Sequence, residues 1–172
     1  MANTYTTYCR QVPLFHGKVI HGITGGANTV SIKRVGMLNT QITSITGVIG
    51  QMDLLMLGTT VTWTDPVTVT PIAHDTTDGA PDVVAGSAGS PSTTGTVWSV
   101  KRFLWSSTTP STTTNGYTNE WECMVPMNIV WDTGYQDTNI STIVIHDNEM
   151  FCIMSQTGAV GNIDSWVEFT EV

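Results

Sequence analysis

His74, Asp75, Asp78 and Asp82 form the densest set of hard ligands in the chain. Calcium takes carboxylate and carbonyl oxygens from flexible loops, which makes Asp75, Asp78 and Asp82 the candidate metal ligands. Their spacing is not that of an EF-hand, and no bidentate Glu follows at the required distance. A solvated acidic loop is the simpler reading. Glu120 and Glu122 are a second carboxylate pair. Two positions apart on a strand, they share one face at about 7 Å. Glycoside hydrolysis needs two carboxylates across a cleft, whereas alternate charges on a strand ordinarily mark its wet face.

Nucleophilic chemistry has little local support. The G-x-S-x-G elbow of serine acyl transferases is absent. Cys9, Cys123 and Cys152 carry no signature pairing them with His16, His21, His74 or His146. Gly22-Ile23-Thr24-Gly25-Gly26 has glycines but no Lys or Ser/Thr in phosphate-loop register and no following helix pattern, so it reads as a turn. His16 and His21 flank Gly17, which suggests a hairpin bend rather than a metal pair. The chain therefore reads as non-enzymatic, with no cofactor implied.

Charge narrows the partners. The net charge is −8, and only 12% of residues are charged, about half the usual quarter. Roughly one residue in six is threonine, a β-branched residue whose hydroxyl keeps an outward position wet. Such a neutral surface is cheaper to desolvate than one of Lys and Glu and suits packing against neighbouring subunits. Arg10, Lys18, Lys33, Arg34, Lys101 and Arg102 are the only basic residues. They form no run longer than two, which argues against direct nucleic-acid binding. No apolar run approaches membrane-spanning length, and no secretion signal is visible. Asn139-Ile140-Ser141 matches the glycosylation acceptor pattern, a tripeptide common by chance. The odd cysteine count fits buried free thiols made in a reducing cytosol, with a Cys123–Cys152 bridge open if their strands are neighbours.

The elements that must carry these residues are strands. Alternating apolar runs broken by Gly, Pro, Asn and Asp predict an all-β, single-domain antiparallel β-sandwich spanning residues 1–172, with eight to ten strands. The predicted strands are 12–16, 19–23, 29–38, 45–57, 59–70, 97–105, 120–127, 141–145, 150–156 and 165–170. Met52–Leu57 reads as a strand buried on both faces. Pro66 and Pro126 place their strands at an edge or a bulge. Residues 1–11, rich in Thr and Tyr, read as an extended arm over a neighbouring subunit. Residues 73–95 and 106–118 read as long loops, of the kind that carry function, emerging on one side of the fold. Tyr5, Tyr8, Trp98, Trp105, Tyr117 and Trp131 are the candidate partner contacts.

The C-terminal half adds a family resemblance. Ile143-Val144-Ile145 and Met150-Phe151-Cys152-Ile153 flank the polar turn His146-Asp147-Asn148-Glu149. A small-residue loop over 156–162 then leads to the closing strand Ser165-Trp166-Val167-Glu168-Phe169-Thr170. This ending, within residues 97–172, resembles small β-sandwich structural proteins of tailed bacteriophage particles, with Asp147-Asn148-Glu149 in place of an acidic glycine-flanked turn. The resemblance implies a jelly-roll-like capsid decoration (cement) protein of the virion. Its partners would be further copies of itself, as a trimer, and the major capsid protein. A tail, head-fibre or other shell component is the neighbouring reading. A carbohydrate-binding module using exposed tryptophans and the 73–95 loop is the reading from another class.

Overall fold

The computed structural model describes residues 2–39, 49–106, 128–133, 142–156, 158 and 161–172, with backbone only at 39, 49, 50, 104–106 and 128, and its strands are buried at alternate positions where one face is covered, as over residues 3–9, and continuously where both are, as over residues 150–153. Fourteen strands are seen among these residues. They are β1 (Asn3–Pro13), β2 (Val19–Gly25), β3 (Val30–Asn39), β4 (Ile49–Leu57), β5 (Val61–Thr64), β6 (Val67–Val69), β7 (Ile72–Ala73), β8 (Val83–Ser87), β9 (Ser90–Thr93), β10 (Val97–Ser106), β11 (Asn128–Asp132), β12 (Ile143–Ile145), β13 (Met150–Ser155) and β14 (Asn162–Glu171).

The fold is all-β, with antiparallel sheets packed as a sandwich. One sheet runs β11-β3-β14-β1-β7, with β12 also on β3; the other runs β10-β4-β13-β2-β8-β6; β5 and β9 form a separate pair. The frame consists of β1, β2, β3, β4, β10, the broken strand β11–β12, β13 and β14. Successive frame strands alternate between the sheets, except that β4 and β10 are neighbours in one sheet. This is the winding of a jelly roll, two Greek keys on a double sheet. The count exceeds the predicted eight to ten because β11 and β12 share one frame position and five short strands are inserted between β4 and β10.

The core lies between the sheets. Tyr5, Ile23, Ile32, Val35, Met37, Met52, Leu54, Phe151, Ile153, Ile163, Val167 and Phe169 fill it, with Tyr5 stacked on Phe169 at 5.5 Å between ring centroids. A second apolar cluster, Val19, Leu55, Leu57, Met150 and Cys152, sits on the outer face of the β4 sheet, covered by Val61 and Trp63. Leu54 and Leu55 are thus buried on opposite faces of β4 (0% and 6% exposed), as the apolar run 52–57 predicts.

Three expectations are corrected. Residues 1–11 are not an arm: β1 lies inside a sheet, paired with β14 along Asn3–Pro13 and with β7 at Tyr5 and Thr6. Its inward residues Tyr5, Thr7 and Cys9 are buried, which explains how a Thr-rich segment is held. Residues 73–95 are not one long loop, since they contain β8 and β9 and begin at the end of β7. The glycine-rich stretch 22–25 is strand, not turn. Gly22 is needed there because a Cβ would run into the Met150 side chain and the Trp63 ring. Residues 107–118, the predicted strand 120–127, Pro126 and the 139–141 tripeptide lie outside the described residues.

The bend expected around Gly17 is present between β1 and β2. Gly17 takes φ +71°, a left-handed conformation open to glycine at little cost, and the Lys18 N–H donates to the Phe15 carbonyl at 3.2 Å.

Candidate functional site

The interior offers one polar constellation that sequence inspection missed. On β2, a register shift between Ile153 and Met154 of the partner strand goes with His21 reaching across the sandwich. Its Nε2 lies 2.7 Å from the Thr7 hydroxyl and its Nδ1 lies 3.0 Å from the Ser165 hydroxyl. The Thr7 hydroxyl donates onward to the Val167 carbonyl at 3.4 Å. That chain of donors places the imidazole proton on Nε2 and lets the Ser165 hydroxyl donate to Nδ1. All three residues are fully buried, and burial pushes the His21 pKa down to about 3. A histidine next to a serine is the element of an acyl-transfer site. Here no substrate can reach it, so the trio joins the two sheets as a satisfied polar bridge. Sequence gives no signal for it, because the three residues come from strands far apart in the chain.

The thiols are equally inert. Cys9 and Cys152 are free and buried, and burial pushes each up to about 12, far from the thiolate a nucleophile requires. Cys123, Glu120 and Glu122 lie outside the described residues.

The acidic stretch is spent on backbone. Asp75 accepts from the Thr77 N–H at 2.9 Å and from its hydroxyl at 2.7 Å, which lowers its pKa. Asp82 accepts from the Ala27 N–H at 2.8 Å and donates its own N–H to Glu171 Oε1 at 2.8 Å. These bonds tie the start of β8 to the β2–β3 turn and to β14. Asp78 donates its N–H to the Asp75 carbonyl at 3.1 Å. Among the described residues no three His, Cys, Asp or Glu side chains come together as a metal site, so Asp75, Asp78 and Asp82 do not converge.

The proposed partner contacts separate. Tyr5 is core, 1% exposed, with its hydroxyl donating to the Gly79 carbonyl at 3.0 Å; it cannot serve as a surface contact. Tyr8 is half-buried, donates to Asp164 at 3.0 Å and carries Arg10 over its ring at 5.2 Å. Trp131 is half-buried against the core. Trp98 stands 48% exposed on β10. Trp105 is described by its backbone alone, and Tyr117 lies outside the described residues.

Sequence inspection also missed that, besides Phe15 and Val172, exposed apolar side chains stand on strands at both sides of the sandwich. On the edge formed by the inserted strands, Val67, Ile72 and Val84 stand out to solvent; on the opposite edge, formed by β10 and β11, Val97, Trp98 and Ile129 do. The second edge also carries cations. Lys101 reaches across it to the Val130 carbonyl at 2.8 Å. Arg102 clasps the buried Asp53 with two bonds of 2.7 and 2.9 Å, and Arg34 on adjoining β3 bonds Asp132 on β11 at 3.0 Å. Alternation alone could have hinted at this, because both Val97 and Trp98 cannot face one core.

Among the described residues no helix is long and apolar enough to cross a membrane. Comparison with protein-family models, with curated proteins and with solved structures gives no match for this chain.

Proposed function

We propose that the chain is a non-enzymatic structural subunit of a bacteriophage particle, of the capsid-decoration kind, which seats on an assembled shell and stabilises it. The strand order carries this reading, because a double Greek-key jelly roll is a recurrent subunit of viral capsids. Fold alone does not decide function, since lectins use the same frame. The surface tips the balance. Exposed apolar side chains are scattered, with Val67, Ile72 and Val84 on the inserted strands, Val97, Trp98 and Ile129 on β10 and β11, Phe15 between β1 and β2 and Val172 after β14, instead of gathered in one concave aromatic platform. Trp63, Trp131 and Trp166 are half-buried, leaving Trp98 as the only exposed tryptophan among those with described side chains. Low charge and abundant threonine further favour packing against protein neighbours.

A decoration subunit binds a surface that exists only after assembly, and so stabilises the shell by mass action. The test is co-sedimentation with empty shells assembled from a major capsid protein encoded in the same genome, where one is found. Binding to assembled shells, and not to the unassembled shell protein, supports the reading. Failure to bind shells, together with glycan-induced quenching of tryptophan fluorescence, would replace it with the carbohydrate-binding module.

A further inference from the structure

We infer that Asp78-Gly79 is a site of spontaneous covalent modification: the dipeptide closes to a succinimide and reopens as isoaspartate, which releases the loop that Tyr5 holds across one side of the sandwich. The chemistry lies in the peptide itself and goes beyond any seat on a shell.

Closure to a succinimide needs a carboxyl group that nothing else holds and a following backbone N–H that is equally unengaged. It also needs room for that nitrogen to turn onto the carboxyl carbon. Among the described aspartates only Asp78 meets all three conditions. The carboxylates of Asp53, Asp75, Asp82 and Asp132 are held by Arg102, Thr77, the Ala27 N–H and Arg34. That of Asp164 is held by Tyr8 and the Gln11 N–H. Asp65 precedes Pro66, which has no N–H to react. Asp147 precedes Asn148, whose N–H donates to the Gly25 carbonyl at 3.2 Å. Asp78 engages only its own N–H, which donates to the Asp75 carbonyl at 3.1 Å. No described residue bonds its carboxylate, and none accepts from the Gly79 N–H.

Room is present as well. Gly79 is exposed, and a Cβ added to it meets nothing within 4 Å. Glycine backbone turns at little steric cost, so the nitrogen can reach the Asp78 side chain.

The step balances with water alone. The Gly79 nitrogen attacks Cγ of the Asp78 carboxylic acid; the N–Cγ bond forms, the C–OH bond breaks, and the amide proton leaves with that hydroxyl as water. Water then adds to either carbonyl of the imide. Breaking the N–Cγ bond restores aspartate. Breaking the bond from nitrogen to the Asp78 main-chain carbonyl carbon gives isoaspartate, whose chain runs through Cβ and Cγ.

The place of this bond in the fold gives the change a consequence. Residues 74–82 connect β7 in one sheet to β8 in the other. The ends of the segment are fastened by the His74 N–H on the Thr4 carbonyl at 2.9 Å and the Asp82 N–H on Glu171 at 2.8 Å. Its middle is held by the hydroxyl of the core residue Tyr5, which donates to the Gly79 carbonyl at 3.0 Å. An extra main-chain carbon just before Gly79 carries that carbonyl away from Tyr5 while the ends stay tied.

The experiment holds the folded full chain in neutral buffer for weeks. Isoaspartate is read by peptide mapping with fragmentation that separates the two isomers, and independently by methyl transfer from an isoaspartyl carboxyl methyltransferase. It is expected to accumulate at position 78 ahead of every other described aspartate. Gly79→Ala, whose added methyl meets nothing, should keep the fold and lose the accumulation. Asp78→Glu, which would have to close a larger ring, should lose it too. Hydrogen exchange over residues 79–82 should rise in the aged chain to the level of fresh Tyr5→Phe, a variant that keeps the ring and removes the hydroxyl.

Isoaspartate no more abundant at position 78 than at Asp65 or Asp147 overturns the inference, as does an unchanged rate in Gly79→Ala. An aged chain that carries isoaspartate there, yet exchanges like fresh protein, overturns the release of the loop. None of these outcomes bears on shell binding, which is read separately by co-sedimentation.

Discussion

The jelly-roll frame and the insertion between β4 and β10 are built from different materials. In the frame, long strands bury apolar side chains between two sheets, and most polar groups inside it are matched, the buried Trp131 Nε1 being an exception. The His21 bridge and the Asp53–Arg102 clasp are the main instances. In the insertion, β5 to β9 run two to five residues each, and three non-glycine residues within or beside it, Thr60, Asp65 and Ala88, take positive φ. Its hold on the frame combines the pairing of β8 with β2 and of β7 with β1, a small apolar patch under Trp63 and backbone bonds such as Val61 N–H to the Asn148 carbonyl at 3.2 Å. The contrast teaches that the frame sets stability while the insertion adds surface. By placing β6, β7 and β8 beyond β1 and β2, it also creates a lateral edge that the frame alone would not have.

That division can be broken or sharpened by measurement. The largest effect is expected in the frame. Phe169→Ala removes a fully buried ring stacked on Tyr5 and should cost about 3–5 kcal/mol, read as a lowered urea midpoint with unchanged slope. A loss below 1 kcal/mol would mean the central core is not where stability resides.

Trp63→Ala should cost less, about 2 kcal/mol, since the ring is only half-buried. It should open residues 59–96 to protease while β1–β4 stay protected from hydrogen exchange. If frame and insertion unfold together in this variant, they are one cooperative unit and the distinction fails.

A third effect follows from pH. His21 is held neutral by burial with its pKa near 3, whereas an unfolded histidine titrates near 6.5. Below pH 6.5 the unfolded chain binds a proton that the folded chain refuses, so stability falls as pH falls, by up to about 1.4 kcal/mol per unit. The loss begins at pH 6.5 and continues toward pH 3. Chemical denaturation between pH 5 and 7 should show this slope in the wild type and lose it in His21→Leu, where His16, His74 and His146 remain as exposed controls. A slope that survives the substitution would mean that the burial of His21 is not its source.

The smallest effect belongs to the insertion's outer face. Val84→Thr alters a side chain that is 55% exposed and should change the stability of the isolated protomer by no more than about 0.5 kcal/mol. A larger cost in the protomer would show that this valine packs against something within the chain.

Legibility in the sequence follows the same division. Strands β2, β3, β4, β10, β12, β13 and β14 are readable because each presents alternating or doubly buried apolar residues over several positions. Strands β5 and β6 fall within the expected strand 59–70, split at Asp65-Pro66; β7 to β9 are not readable, because two to five residues of mostly small side chains carry too little periodicity to separate strand from loop. β1 misleads for another reason. Its inward Thr7 looks like a surface residue until His21 and Val167 are brought beside it. Among the proposed contacts, Trp98 is on the surface, whereas Tyr5 is hidden. An aromatic residue's type does not say which face of its strand will be covered.

The sequence by itself determined that the chain is all-β, that residues 52–57 are buried on both faces, and that its surface is poor in charge. Those properties depend on residue type and short-range alternation. Only the tertiary structure decided the winding order, the sealing of His21 and the burial of Tyr5. The physical reason is range. Asn3 pairs with Glu171 across nearly the whole chain, and such pairings are selected by the total burial of two closed sheets, a quantity that no local stretch of residues contains.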